Sequence, residues 1–302
     1  MNEENQLNKV YTGLHHLYPS IPKEAWTIQR QSGGLTNILF NCHSSLEGDH
    51  RHLMYRVYGH GSHRLIDRQT ELANIDVLSK IGLAAPIVAR FPDALVYEFV
   101  HGTPLDVAST RDNYRLVAAA LGSFHRLATQ SIAPQTPNLF SLLLKWIAQV
   151  PDPLAQSRYL HHQQQIQTKL HSLLPLLSVV LCHNDLLPGN IILTDNACKF
   201  IDFEYAAFNF AAFDIAIHFC EYAGTDCLFD QIPGEAFISN WLDVYNQHSQ
   251  TQVSLDQVVQ MLPVPHFYWS VWAELQALNS NIDFDYASYS QKRLSFFVKT
   301  FY

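Results

Sequence analysis

Two short apolar runs, SVVLCHND at 178–185 and KFIDFE at 199–204, bracket the loop-like segment PGNIILTDNA at 188–197. Runs this short and this rich in Val, Ile and Phe fit buried strands better than helices, and strand ends hold polar side chains at fixed positions. The first run leads into His183-Asn184-Asp185-Leu186-Leu187-Pro188-Gly189-Asn190, an HxDxxxxN spacing, and the second ends on Ile201-Asp202-Phe203-Glu204. Any one of these polar residues alone would read as a turn or cap residue. Their order, beside two strands, points to phosphoryl transfer. That reaction asks a protein to position an alcohol against a phosphate and to neutralise phosphate charge, with little covalent work of its own. Asp185 is then the catalytic residue that orients the acceptor hydroxyl and takes up its proton. Asn190 and Asp202 offer the hard oxygen ligands that Mg²⁺ prefers. His183 is read as structural, packed beneath the loop.

The rest of the chain divides by texture. ILFNCHSS and HLMYRVYG read as a hairpin preceded by the flexible turn Gly33-Gly34, and ALVYEFV at 94–100 reads as a buried strand. Leu65–Ile81 carries Ile66, Leu72, Ile75 and Leu78 as a helical stripe. Beyond this the pattern turns helical, with Leu116, Ala120, Leu121, Phe124 and Leu127 on one face and the later segments interrupted by Pro233, Pro263 and Pro265. The expectation is an α+β chain with a small sheet-bearing lobe at 1–98 and a larger, mainly helical lobe at 99–302. Apolar residues make up 48% and charged residues 15%, enough to bury a core in each.

Charge narrows the partners. The formal charge is −8 with no cluster of Lys and Arg, which disfavours nucleic acid and anionic membranes and suits a cationic substrate. The polar start MNEENQLNK lacks a signal-peptide core, and the apolar stretch Leu173–Cys182 is too short to span a bilayer. Five cysteines without CxxC spacing imply a reduced, cytoplasmic setting. Cys182, His183, His218 and Cys220 lack zinc-finger spacing and are read as core residues.

HNDLLPGN followed by FIDFEYAAFNFAAFDIAIHFCEY resembles the choline/ethanolamine kinase family, which shares a two-lobed, protein-kinase-like scaffold with aminoglycoside phosphotransferases. Three further segments resemble the family in the same order: Ser32-Gly33-Gly34-Leu35-Thr36-Asn37, Tyr55-Arg56-Val57-Tyr58-Gly59, and the stretch from HFYWSVW to KRLSFF. The resemblance implies ATP as donor and Mg²⁺ as its metal. It places Ser32, Gly33, Gly34 and Asn37 over the phosphates and Arg56 on a phosphate oxygen, with Glu71 as the ion-pair partner of Arg56. Glu98 would begin the adenine-binding hinge. Asp214 would brace the catalytic loop, and the family's frequent homodimers extend the expectation to a second copy of this chain.

The acceptor implied by the resemblance is choline, phosphorylated to phosphocholine. A quaternary ammonium has no N–H to donate and is held by aromatic faces and diffuse negative charge. Trp269 and Trp272 are three apart and share a helix face. Asp214, His218 and Glu221 fall at i, i+4 and i+7 on another. The resemblance places Tyr205, Glu221, Trp269, Trp272 and Tyr289 around the acceptor, and Tyr286, three residues before Tyr289, is a further candidate from its position. After Glu221 the chain departs from the family pattern, with Tyr222-Ala223-Gly224-Thr225-Asp226 in place of a Trp-led stretch. Ethanolamine, or another small amino alcohol or aminoglycoside, is the alternative acceptor.

Overall fold

The computed structural model describes residues 3–31, 34–46 and 51–302, which form two compact units. The first contains residues 1–62, 85–100 and 280–284. Helix α1 (Glu3–Leu17) is followed by strands β1 (Trp26–Gln31), β2 (Asn37–Ser44), β3 (His52–Tyr58), β4 (Ile87–Phe91) and β5 (Ala94–Glu98). The strands make one antiparallel sheet in the order β1-β2-β3-β5-β4. Val10 and Leu14 of α1 are buried with Phe40, Tyr55, Ala94 and Val96, so the helix covers one face of the sheet. Lys9 of α1 forms an ion pair with Asp93 in the β4–β5 turn. The polar N-terminal sequence did not announce this helix, although Leu7, Val10, Leu14 and Leu17 carry its spacing.

The second unit contains residues 63–84, 101–279 and 285–302. Helix α2 (Arg68–Lys80) therefore groups with the helical unit, whereas the sequence boundary near 98 placed it with the sheet. Asp67 caps it, accepting from the Gln69 and Thr70 backbones at 3.1 and 3.2 Å. The later elements are β6 (Thr103–Pro104), α3 (Val107–Asp112), α4 (Tyr114–Ser131), α5 (Leu139–Ile147), α6 (Pro153–Lys169), β7 (Val179–Cys182), β8 (Ile191–Leu193), β9 (Cys198–Phe200) and β10 (Ala207–Phe210). Helices α7 (Ala211–Cys220), α8 (Glu235–His248), α9 (Leu255–Met261), α10 (Pro263–Asn279) and α11 (Tyr286–Phe301) complete it.

Every residue of α7 is buried, which explains why its sequence AAFDIAIHFC is apolar on all sides. Helix α4 buries Val117, Leu121, Phe124 and Ala128, a one-sided stripe set against more polar positions. The prolines at 263 and 265 occupy the first turn of α10, where a missing N–H costs no helical bond. Strand β7 pairs with β10 and β8 pairs with β9, both antiparallel. The HxDxxxxN loop thus leaves a buried strand at Cys182 and re-enters one at Ile191, and Asp202 follows the end of β9. All five cysteines are unbridged and buried, with Cys182 and Cys220 each donating to a backbone carbonyl. Among the described residues no helix is long and apolar enough to cross a membrane.

Candidate active site

The loop after β7 is fixed by side chains that reach it from α7 and β10, and α4 braces the α7 carboxylate among them. Asp214 of α7 is fully buried and accepts the backbone N–H of His183 at 2.9 Å and of Asn184 at 2.7 Å. His125 of α4 lies 2.8 Å from the same carboxylate through Nε2 and 2.7 Å from the Tyr245 hydroxyl through Nδ1. Burial alone would raise the pKa of Asp214, but the His125 hydrogen bond and the charges and N–H groups around it hold the carboxyl below the usual range. His218, one turn further along α7, donates from Nδ1 to the Leu186 carbonyl at 3.1 Å. Burial lowers its pKa to about 4, so the ring is neutral. His183 turns Nε2 to the Ile201 carbonyl at 2.9 Å and so ties the loop to the segment before Asp202.

Asn184 adopts a left-handed backbone with φ 61°, tolerated best by Asn, Asp and Gly. Its amide nitrogen donates to the Tyr205 carbonyl at 3.0 Å and the Ala207 carbonyl at 3.3 Å, and its oxygen accepts from Asn209 at 3.0 Å. These bonds hold the strained residue directly before Asp185.

Asp185 is buried, and burial pushes its carboxyl well above the usual range, reinforced by the charges of Asp202, Glu221 and Glu204. Asn190 donates its amide nitrogen to the Asp185 carbonyl at 2.9 Å and to the Asp185 carboxylate at 3.3 Å. Asp202 also has a left-handed backbone, φ 63°. Its carboxylate and those of Glu71 and Glu204 bring oxygens within 4.8 Å of one another. Arg68 donates to Glu71 at 2.7 Å and to Glu204 at 3.0 Å. Arg68 and Glu71 lie three residues apart on α2, so this ion pair forms within one helix.

Aromatic rings line up along α10. Tyr205 and Trp269 meet at 5.7 Å and 90°, Trp269 and Trp272 at 5.5 Å and 85°, and Trp272 and Tyr286 at 5.8 Å and 67°. The Trp272 indole N–H donates to the Tyr205 hydroxyl at 2.7 Å. Glu221 ends α7 and accepts from Arg293 of α11 at 3.1 and 3.3 Å. Burial raises the Glu221 pKa, opposed by that guanidinium. The Arg293 guanidinium lies 5.0 Å from the Tyr289 ring centroid.

The nucleotide-side candidates belong to the first unit. Ser32 and Gly33 lie outside the described residues. A side chain at Gly34 would place its Cβ 2.5 Å from the Asn37 carbonyl, so the tight turn into β2 requires glycine there. Asn37 opens β2 opposite Tyr58. Arg56 sits in the central strand β3, opposite Leu39 and Leu95, and is buried rather than on the surface. Glu98 ends β5 opposite Leu53, and its side chain is exposed.

A model of the choline/ethanolamine kinase family matches residues 28–298. The chain belongs to the choline/ethanolamine kinase family. A probable ethanolamine kinase A of Dictyostelium discoideum is 32% identical over 308 residues, spanning 94% of this chain and 88% of the relative. An ethanolamine kinase of Plasmodium vivax superposes with a TM-score of 0.84 at 22% identity, covering 98% of this chain and 89% of that one. A choline kinase of Cryptosporidium parvum gives 0.79 at 24%, covering 97% and 95%. The fold is accordingly the two-lobed, protein-kinase-like α+β fold, and the reaction class of this family member is that of a kinase.

Some residues bonded to these candidates were not singled out by the sequence. Arg293, four residues after Tyr289, carried a legible signal, because a helix puts both on one face. Arg68 was legible as an i, i+3 partner of Glu71. His125 carried none: its partner Asp214 is 89 residues away, so only the tertiary fold joins them.

Proposed function

We propose that this kinase transfers the γ-phosphoryl group of ATP to the hydroxyl of a small amino alcohol, with ethanolamine as the preferred acceptor. The observation that carries the reading is the buried Asp185 on a pinned loop, its carboxyl raised by burial and by the charges of Asp202, Glu221 and Glu204. Asp185, with its raised pKa, is suited to take the acceptor's proton as the oxygen attacks phosphorus. The donor set fits Mg²⁺: Asn190 uses its amide nitrogen on Asp185 and retains its carbonyl oxygen, and Asp202 lies in a group of carboxylate oxygens. When bound, the metal neutralises phosphate charge. Asp214, His218 and His183 keep the loop rigid while the proton moves. We assign Gly34, Asn37 and Arg56 to the triphosphate and Glu98 to the adenine hinge, with Ser32 and Gly33 in the same phosphate loop. A reduced, cytoplasmic setting and a pairing of two copies accompany this assignment.

Ethanolamine is favoured by the names of the most similar relatives and by the carboxylates around Asp185, which accept N–H donors well. Choline is the second reading, favoured by the ring cluster of Tyr205, Trp269, Trp272, Tyr286 and Tyr289 beside Glu221. The rings of Tyr205, Trp269, Trp272 and Tyr286 meet edge to face, so much of their aromatic surface is met by a neighbouring ring rather than left for a cation. ADP release with Mg²⁺, measured against ethanolamine, its N-methylated derivatives and choline, tests the assignment. Turnover is expected, with kcat/KM highest for ethanolamine. No ADP formation with any amino alcohol would remove it.

A further inference from the structure

Helices α10 and α11 carry Trp269, Trp272, Tyr286 and Tyr289, and a set of buried hydroxyl groups joins the two helices to α6. Tyr159 of α6, Ser270 of α10 and Ser290 of α11 are all fully buried. The Ser290 hydroxyl donates to the Ser270 carbonyl at 2.9 Å, and the Tyr159 hydroxyl donates to the Glu274 carboxylate at 3.2 Å. Burial raises the Tyr159 pKa, so the phenol keeps its proton and serves as a donor. A hydroxyl has one proton to give. With those two committed, the Ser270 hydroxyl can turn to Ser290 at 3.3 Å or to Tyr159 at 3.5 Å. Ser290 itself lies 3.4 Å from Tyr159 and from the Glu274 carboxylate. Three helices therefore meet on these hydroxyls and one partly buried carboxylate, in a core where a polar group costs free energy unless it is bonded.

This set lies beside the rings assigned to the acceptor. Ser270 directly follows Trp269, and Ser290 directly follows Tyr289. Ser290 also stands one turn beyond Tyr286 on the same face of α11, and Tyr286 meets Trp272 of α10 at 5.8 Å. Two contacts one turn apart thus fix α11 against α10, one between rings and one from hydroxyl to carbonyl. Dispersion between rings changes gradually with separation, so the ring contact alone permits the helices to shift. A hydrogen bond is confined to a distance window of about 0.5 Å and to a narrow range of angles. We propose that Ser290 and Tyr159 are positioning residues for the acceptor: they hold α10 and α11 at the separation that shapes the aromatic wall of Trp269, Trp272, Tyr286 and Tyr289. The inference rests on the acceptor site described under the proposed function, and it holds for whichever amino alcohol that wall receives.

The test uses the full chain and steady-state kinetics with ethanolamine, choline and ATP, with the melting temperature recorded for each variant. Ser290→Ala and Tyr159→Phe each remove one oxygen and keep the shape of the core. Each is expected to raise the KM of the preferred acceptor about fivefold, the scale of one neutral hydrogen bond of about 1 kcal/mol, and to leave the ATP KM within about twofold of the parent. In the double variant the rise should fall short of the product of the single ones, because both hydroxyls act through one set. Variants that melt lower but keep the parent's acceptor KM well below their melting temperature would overturn the positioning role. So would a KM increase shared equally by ATP, or single effects that multiply in full. With the parent active these results strike this role alone. Failure of the parent chain to turn over any amino alcohol would remove the acceptor site itself, and this role with it.

Discussion

The Asp214 carboxylate accepts the backbone N–H of Asn184 at 2.7 Å, and Asn184 is the left-handed residue directly before Asp185. One buried carboxylate thereby sets the backbone conformation from which the proposed catalytic side chain projects. Asp214→Asn replaces one acceptor oxygen with a donor amide that faces other donors. We expect a stability loss of about 3 kcal/mol and a fall in kcat larger than any change in ATP KM. Urea unfolding and steady-state rates read both, and an unaltered midpoint would show that the brace is dispensable.

Asp185→Asn separates chemistry from stability. The carboxylate is buried among like charges, which raises its pKa and makes its ionised form unfavourable in the folded chain. The neutral amide should melt higher than the parent in the absence of nucleotide. Phosphoryl transfer should fall by about 10²–10⁴-fold, the usual contribution of a positioned proton acceptor. A variant that melts lower, or that retains the parent rate, contradicts this reading of the carboxylate.

His218 predicts an acid limb in stability. Its folded pKa is lowered to about 4, below the ordinary value of 6.5. The ring's contribution is complete above pH 6.5 and is lost as pH falls towards 4, because the unfolded chain takes up the proton first. The full loss is about 3 kcal/mol. Asp214, whose pKa is also depressed, adds a loss in the same direction at lower pH, where carboxylates titrate. Melting temperature followed from pH 7.5 to 4.5 should drop less steeply in His218→Asn, and equal slopes would discount His218 as the source.

Trp272 links the aromatic wall to the segment carrying Asp202 through its bond to the Tyr205 hydroxyl at 2.7 Å. Trp272→Phe removes the N–H and keeps an aromatic ring. The loss should be about 1 kcal/mol of stability, with an acceptor KM raised about fivefold and the ATP KM unmoved. Isothermal unfolding and paired titrations of acceptor and ATP distinguish these. A rise in ATP KM alone would place this ring outside the acceptor site.

The HxDxxxxN spacing, the strands that flank it and the helical face of Asp214, His218 and Glu221 were all legible in the sequence. Each depends on short-range periodicity, and backbone geometry converts such spacing directly into direction. Tertiary structure decided what those side chains meet. It joined His125 to Asp214 and Arg293 to Glu221, buried Arg56 in the central strand, grouped α2 with the helical unit and laid the α10 rings edge to face. A buried polar group takes as partner whichever donor or acceptor the packed core brings within about 3 Å. That choice is made between segments distant in sequence, where local pattern carries no information about distance.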